Sequence, residues 1–323
     1  MPVELIATFY NVENLYDTKN DKGVLDADFT PEGAFAWDDA RYKAKLANVA
    51  EVLFATGTNG RPPAFIGLSE IENRDVIHDL LRQKGLNDTS YGIVHAESRD
   101  VRGIDVAFLY NRNFYTPHGF ESLNFEERTH QVFGARDILH VWGTLHDSAK
   151  SEMHFFINHW PSRHGGEAES RMKRAAAAAT LRETVDQIFA DAPHAYLMAM
   201  GDFNDEPRDE SLRRILNAGE DVHHLHKLVN LGWASLKRNE GTTFHDGEWY
   251  LFDQIMVSSN LLDDEAPYIK RRRMYIYDEG DVIFREPRSH DGKPNRTFVG
   301  KKYKNGYSDH LAVYVRFFID YVE

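Results

Sequence analysis

Apolar runs that break off at a polar side chain recur along this chain. Residues 196–200 are apolar and stop at Gly201, which predicts a short buried strand, and Asp202, Phe203 and Asn204 follow at once. On an extended backbone Asp202 and Asn204 leave on one face while Phe203 turns into the core. The same transition repeats elsewhere. Residues 4–11 alternate, Leu5, Ala7 and Phe9 against Ile6, Thr8 and Tyr10, and end in Asn11, Val12, Glu13 and Asn14. Residues 63–68 predict a second buried strand, with Ser69 and Glu70 behind it. Residues 136–145 and 153–157 predict two more, and the latter runs into Asn158, His159, Trp160, Pro161, Ser162 and Arg163. Asp253 precedes an apolar stretch that reaches Ser258, and Asp309 and His310 precede the last strand, residues 311–318.

Helical spacing over residues 37–54 puts Tyr42, Leu46, Val49 and Leu53 on one stripe and leaves most of the charges of that helix on its wet face. A second helix is expected over residues 169–189, where an alanine run favours close packing. A third is expected to open at Asp205, Glu206 and Pro207 and run through Leu212 and Ile215. Residues 76–81 suggest a short helix that Ser69 could cap, with Glu70 and Glu72 favouring its dipole. Residues 91–96 and 104–110 read as a hairpin, in which Asp105 is equally a structural hydrogen-bonding residue. Residues 17–33, rich in Asp, Lys and Gly, make an unusually long loop. Strands that follow one another without a helix between them imply antiparallel or mixed sheets, so the expected class is α/β (α+β), a layered sandwich of packed sheets with outer helices.

Composition narrows this picture. With 323 residues and no linker rich in Pro, Gly or Ser, one domain over 1–323 is expected. No segment approaches the apolar length of a membrane span, and the N-terminus enters a strand pattern without a basic region or cleavage site. A soluble protein is therefore expected, and the missing leader tips the balance toward the cytoplasm without fixing the compartment. The absence of cysteine excludes disulfides, a thiolate nucleophile and sulfur-ligated zinc. A net charge of −13 argues against broad attraction to a polyanion. Between Tyr268 and Gly306, however, eleven basic residues stand against five acidic ones, so this stretch is either a solvated face or a phosphate-facing loop. His223, His224 and His226 have no partner at a zinc-ligand spacing, which favours a surface turn.

Taken in order, Asn11, Glu70, His159, Asp202, Asn204, Asp253, Asp309 and His310 resemble the motifs of the endonuclease/exonuclease/phosphatase superfamily, the deoxyribonuclease-like and apurinic/apyrimidinic endonuclease-like phosphoesterases. The resemblance runs from Phe9 to Leu311, nearly the whole chain. It implies a four-layered sandwich, two packed mixed sheets flanked by helices, and a divalent metal, Mg2+ with Mn2+ as a possible substitute. Glu70 and Asp309, with Asn11 nearby, offer the hard oxygen ligands that Mg2+ selects. By the same resemblance Asp202 orients or deprotonates the attacking water, and Asn204 fixes that water or the phosphate. Asp253 pairs with His310, and His159 is a general acid or a phosphate contact. Asn158 and Arg163 are further candidates for the phosphate, Arg163 being equally a structural ion pair.

Departures accompany the match. Ser69 stands where the family often has Gln, Glu72 offers a competing carboxylate, and insertions near 17–33 and 260–306 exceed the compact nuclease pattern. The expected activity is a Mg2+-dependent, nuclease-type phosphodiesterase acting on a phosphodiester or phosphate ester, nucleic acid among the possibilities, with no protein partner. A phosphatase or a lipid or small-molecule phosphodiesterase is the alternative, favoured by the acidic charge, and an inactive binding module on the same scaffold is the third reading.

Overall fold

The alternating N-terminal stretch becomes β1, Val3–Leu15, and it sits inside the first of two large sheets. In the computed structural model, which describes residues 2–129, 134–163, 166–220, 227–285 and 292–322, this sheet also holds β2 (Phe65–Ile71), β3 (Tyr91–His95) and β4 (Asp105–Asn111). β1 runs parallel to β2 and antiparallel to the last strand, Val313–Ile319, while β2, β4 and β3 pair antiparallel. The second sheet holds β5 (Tyr115–Leu123), β6 (Ile138–Leu145), β7 (Glu152–His159) and β8 (Tyr196–Asp202), then Asp253–Ser258 and two short strands. Only β7 with β8 and one short edge pair are parallel here.

The central strands of both sheets are buried on two faces, which is why residues 63–68 and 196–200 read as continuous apolar runs. Phe65, Phe108, Phe155, Ile157, Met200 and Ile255 fill the space between the sheets. Helices α1 (Asp39–Ala55) and α2 (Arg74–Leu81) cover the outside of the first sheet, and α3 (Glu167–Asp191) covers the second. The result is the layered sandwich that the strand and helix order implied, in the four-layered form that the family resemblance implied. Gly67 permits the close approach of its layers, because a Cβ there would lie 2.8 Å from Met200 Sδ.

Several sequence readings need correction. β5 escaped notice because Pro117 and Gly119 interrupt it; an edge strand tolerates both, and its register slips between them. α2 is capped by Asn73, whose Oδ1 accepts from Val76 N at 2.9 Å, and not by Ser69, which still belongs to β2. The helix expected after Pro207 shrinks to a single π-turn, Ser211–Ile215. Its acids are consumed by side chains instead: Asp205 accepts from Ser211 Oγ at 2.6 Å and pairs with Arg174 Nε at 2.8 Å. Most of the charges of α1 are expected on its wet face; Lys45 is an exception and is buried. The histidines at 223, 224 and 226, like residues 286–291 of the basic stretch, lie outside the described residues. No described helix is long and apolar enough to cross a membrane.

On the outer face of the second sheet the His140 Nε2 and His154 Nδ1 atoms meet at 2.9 Å, and His140 stacks on Phe156. Burial, reinforced by His140, pushes the His154 imidazole down to about 3. The unfolded chain takes up that proton near pH ~6.5, so stability is lost as the pH falls below this value, by at most about 1.4 kcal/mol per unit. His154→Gln should flatten the decline of Tm between about pH 6.5 and about pH 4.5. Parallel melting curves for the two proteins would clear His154 of that role.

Candidate active site

Three strand ends of the second sheet stand in register. His159 closes β7 opposite Asp202 at the end of β8, and Asp202 faces Asp253, the first residue of the antiparallel strand Asp253–Ser258. Gly201 lets this edge close, since a Cβ there would lie 2.4 Å from the Asn158 carbonyl oxygen. The first sheet answers with Asn11, whose Nδ2 donates to Asp202 Oδ2 at 3.1 Å across the gap between the layers. Asn11 also anchors the segment before the last strand, because its carbonyl accepts from Ser308 Oγ at 2.7 Å, and Ser308 Oγ in turn accepts from His310 N at 3.0 Å.

Glu70 reaches the same place through a defect in its strand. On β4 the partners of Ser69 and Ile71 are the consecutive residues Val106 and Asp105, so Glu70 is an unpaired extra residue, a bulge, with φ +65°. A left-handed non-glycine residue is strained, and such strain persists where it aims a side chain. Here it sends one carboxylate oxygen to Asn14 N at 2.8 Å and the other to within 3.8 Å of His159 Nε2.

Glu70, His159, Asp202, Asp309 and His310 line one cleft of about 920 Å³, together with Asn204, Arg102, Arg136, Arg163 and Arg296, while Asn11 and Asp253 support it from behind. Asp202 is its centre. His159 Nε2 lies 3.6 Å from Asp202 Oδ2 and His310 Nε2 lies 3.8 Å away, while His310 Nδ1 is held by Asp253 Oδ2 at 2.7 Å. Burial pushes the Asp202 carboxyl up to about 7, against the pull of His310. The two imidazoles are driven apart. Burial alone would strip His310 of its proton, but the Asp253 and Asp202 carboxylates hold it well above the usual histidine range. Burial, then the guanidinium groups of Arg136 and Arg102, keep His159 well below that range. Neighbouring groups split in this way can divide acid and base work.

Asn204 reaches the cleft by a turn and not by the pleat of a strand. β8 ends at Asp202, Asn204 has φ +51°, its N–H donates to Asp202 Oδ1 at 3.0 Å, and its amide donates to the Trp160 carbonyl at 3.0 Å. Asn158 does not reach it. Fully buried, it donates to the Phe156 and Met200 carbonyls and accepts from Trp160 Nε1 at 3.0 Å, so it serves the layer packing and not a phosphate. Arg163 lines the cleft, yet its donors go to the Asn204 carbonyl, Asp205 and Asp209. Asp105 lies away from it, accepting from Ser98 N at 2.8 Å.

The sequence reading missed a charge chain that runs from Asp309 through the half-exposed Arg296 to the buried Glu13 and Lys45. Asp309 Oδ2 meets Arg296 Nη2 at 2.9 Å, Arg296 Nε lies 3.4 Å from Glu13 Oε1, and Glu13 Oε2 accepts from Thr297 N at 2.6 Å. Lys45 Nζ donates to Thr297 Oγ1 at 2.6 Å and stands 4.0 Å from Glu13. Burial raises the Glu13 carboxyl to about 7 and lowers the Lys45 amine to about 8. Glu13 was detectable as the acid two residues beyond Asn11; Lys45 left no signal, because its spacing on α1 is that of any core position. Among the described residues of the basic insertion, Arg296 is the basic one that enters the cleft.

Residues 6–318 match a family model described as the Endonuclease/Exonuclease/phosphatase family. Solved structures share the fold at low identity. The truncated TDP2 of Caenorhabditis elegans superposes with a TM-score of 0.61 at 17% identity, covering 98% of each chain. The mannosyl-6-phosphatase Bt3783 of Bacteroides thetaiotaomicron gives 0.56 at 16%, covering 97% of this chain and 99% of that one. The TDP2 of D. rerio complexed with a single strand DNA product gives 0.54 at 17%, covering 97% and 98%. No curated protein matches the chain in sequence.

Proposed function

The chain belongs to the endonuclease/exonuclease/phosphatase family and is a hydrolase of phosphate esters; on that premise we propose that it cleaves phosphodiesters in the manner of a nuclease, with help from a bound divalent cation. One observation carries the proposal: Glu70 and Asp309 line the same cleft as Asp202 and the oppositely protonated His159 and His310.

The donor set suits a hard cation. Glu70 and Asp309 bring carboxylates to the cleft, oxygen donors of the kind Mg2+ takes, with Mn2+ as a substitute, whereas Asn11, expected as a third ligand, is buried behind Asp202 with its Oδ1 accepting from Glu13 N at 3.0 Å. When bound, such an ion supplies positive charge for the phosphoryl oxygens and orders the ester. The remaining work belongs to side chains. Asp202, steadied by Asn11, takes a proton from the attacking water at Oδ2 as the water oxygen bonds to phosphorus. His310, fixed by Asp253, donates a hydrogen bond from Nε2 to a phosphoryl oxygen where negative charge grows. As the bond from phosphorus to the leaving oxygen breaks, the proton that Asp202 took from the water passes through His159 Nε2, 3.6 Å from Asp202 Oδ2, to the leaving oxygen, which returns both side chains to their starting state. Asn204 holds the water against Asp202. Arg163 keeps the Asn204 turn in place and is a positioning residue, not a phosphate ligand.

A diester carries a second substituent that needs a wall, and Phe244 and Tyr250, half-buried in the cleft lining, offer rings on which bases can stack. The net charge of −13 supports a second reading, a phosphatase of small esters. The test is a panel of plasmid DNA, single-stranded DNA, RNA, an aryl phosphate diester, an aryl phosphate monoester and sphingomyelin, each with Mg2+. Hydrolysis of DNA or RNA with a steep salt dependence is expected. Turnover of the monoester alone, with nucleic acids untouched, would replace the diester reading by the phosphatase.

A further inference from the structure

The long loop over residues 17–33 and the extra carboxylate Glu72 play no part in this chemistry, and they meet each other. Glu72 Oε2 accepts from Asp17 N at 2.5 Å, while Oε1 is buried and accepts no hydrogen bond from the protein. Asp26 repeats the pattern: Oδ2 accepts from Asp21 N at 2.7 Å, and Oδ1 is buried without a donor. Glu72 is 4% exposed and Asp26 is 0% exposed, so water from outside does not reach these oxygens freely. Asp21 turns a third carboxylate toward them, and one oxygen from each of Asp21, Asp26 and Glu72 lies within 4.8 Å of the others. Among the described residues none of the three forms an ion pair; the nearby Lys19 is committed to Asp17 at 3.5 Å and is 75% exposed. Carboxylates gathered this closely, two of them orphaned and buried, are costly unless a cation joins them.

We propose that Asp21, Asp26 and Glu72 form a calcium site, separate from the catalytic cleft, that fastens the loop over residues 17–33 to the end of β2. All the donors are oxygens, as a hard cation requires. Two of the three come from a loop, which adapts to the irregular six- to eight-fold shell of Ca2+ more readily than to the strict octahedron of Mg2+. The site differs from the cleft although Glu70 and Glu72 are neighbours: Glu70 lines the cleft and accepts from Asn14 N, whereas Glu72 accepts from Asp17 N. Both carboxylates therefore grip the chain as it leaves β1, one on each side of Tyr16. Closing the Asp21, Asp26 and Glu72 cluster holds in place a loop that already packs by stacking Phe29 on Tyr16 at 4.5 Å and by the Trp37 Nε1 bond to the Tyr16 carbonyl.

Calorimetric titration of the whole chain with Ca2+ tests the site, with thermal melting run in parallel. Wild type and Glu70→Gln should bind one Ca2+ with the same affinity and melt higher in its presence. Asp26→Asn should lose that binding, and Asp21→Asn, an exposed position that leaves folding intact by circular dichroism, should weaken it tenfold or more. A merely repulsive acid cluster gives the opposite pattern, a wild type indifferent to Ca2+ and an Asp26→Asn protein more stable than it. Equal binding by wild type and Asp21→Asn, loss of binding in Glu70→Gln, or full displacement of Ca2+ by equimolar Mg2+ would each overturn the assignment. Should Asp26→Asn fail to fold, the Asp21→Asn titration decides alone.

Discussion

Asp202→Asn should lower kcat by about a thousandfold or more while leaving the protein at least as stable as wild type. The first half follows from position. Asp202 Oδ2 lies within 3.8 Å of the His159 and His310 imidazoles and receives the Asn11 amide, which on the proposed mechanism places it to take the proton of a water between them. An amide of the same shape cannot accept that proton. The second half follows from its surroundings. Burial pushes the Asp202 carboxyl up to about 7, which means that its ionised form is disfavoured in the fold relative to the unfolded chain. A group raised in this way costs stability above its unfolded value, near pH ~4, until that cost levels off above about pH 7. A neutral isostere removes the cost, and Asn204 N–H keeps an acceptor. Steady-state kinetics and melting on the same preparations separate the effects: a kcat within tenfold of wild type would take Asp202 out of the reaction, and a large fall in Tm would recast it as structural.

The parts of the fold that were legible are those where one physical signal dominates. A strand buried on both faces must be apolar until it leaves the core, so the residue at which the run stops marks the rim of the sheet. That logic found His159, Asp202 and His310, which the structure gathers into one cleft, and Asp253, which holds His310 from behind it. It located Glu70 only approximately, because β2 continues past it and a bulge, invisible to periodicity, turns its side chain outward. It failed for Asn158, whose amide is used by neighbouring main chain one residue inside the rim. It failed again for Lys45 and Arg174, long charged side chains drawn into the interior by partners more than thirty residues away in sequence, Thr297 and Asp205. Long-range pairing of buried charge has no local signature, which is why the support behind Asp309 appears only in three dimensions.

Removing divalent cations should abolish hydrolysis, and Mg2+ or Mn2+ should restore it, whereas Glu70→Gln should lose about two or more orders of magnitude in kcat/KM at low Mg2+ and recover part of that loss as Mg2+ is raised. The substitution isolates charge from structure. Glutamine keeps an oxygen for the Asn14 N–H that now binds Glu70, so the bulge at φ +65° retains its local bond. What disappears is one negative charge from a donor set in which Asp309 is already shared with Arg296 at 2.9 Å. With Asp309 partly neutralised and Asn11 uncharged, Glu70 carries most of the attraction for a hard cation, and its loss should appear first as a higher metal requirement. A rise in the Mg2+ needed for half-maximal rate, with wild-type melting in the absence of metal, is the expected signature. Metal-free protein that turns over at the wild-type rate would end the cation assignment; Glu70→Gln with an unchanged Mg2+ requirement would move it onto Asp309 and its neighbours. Glu13 makes that second outcome testable in turn, because its carboxylate shares Arg296 with Asp309, and Glu13→Gln would then release Arg296 to compete with the cation for Asp309.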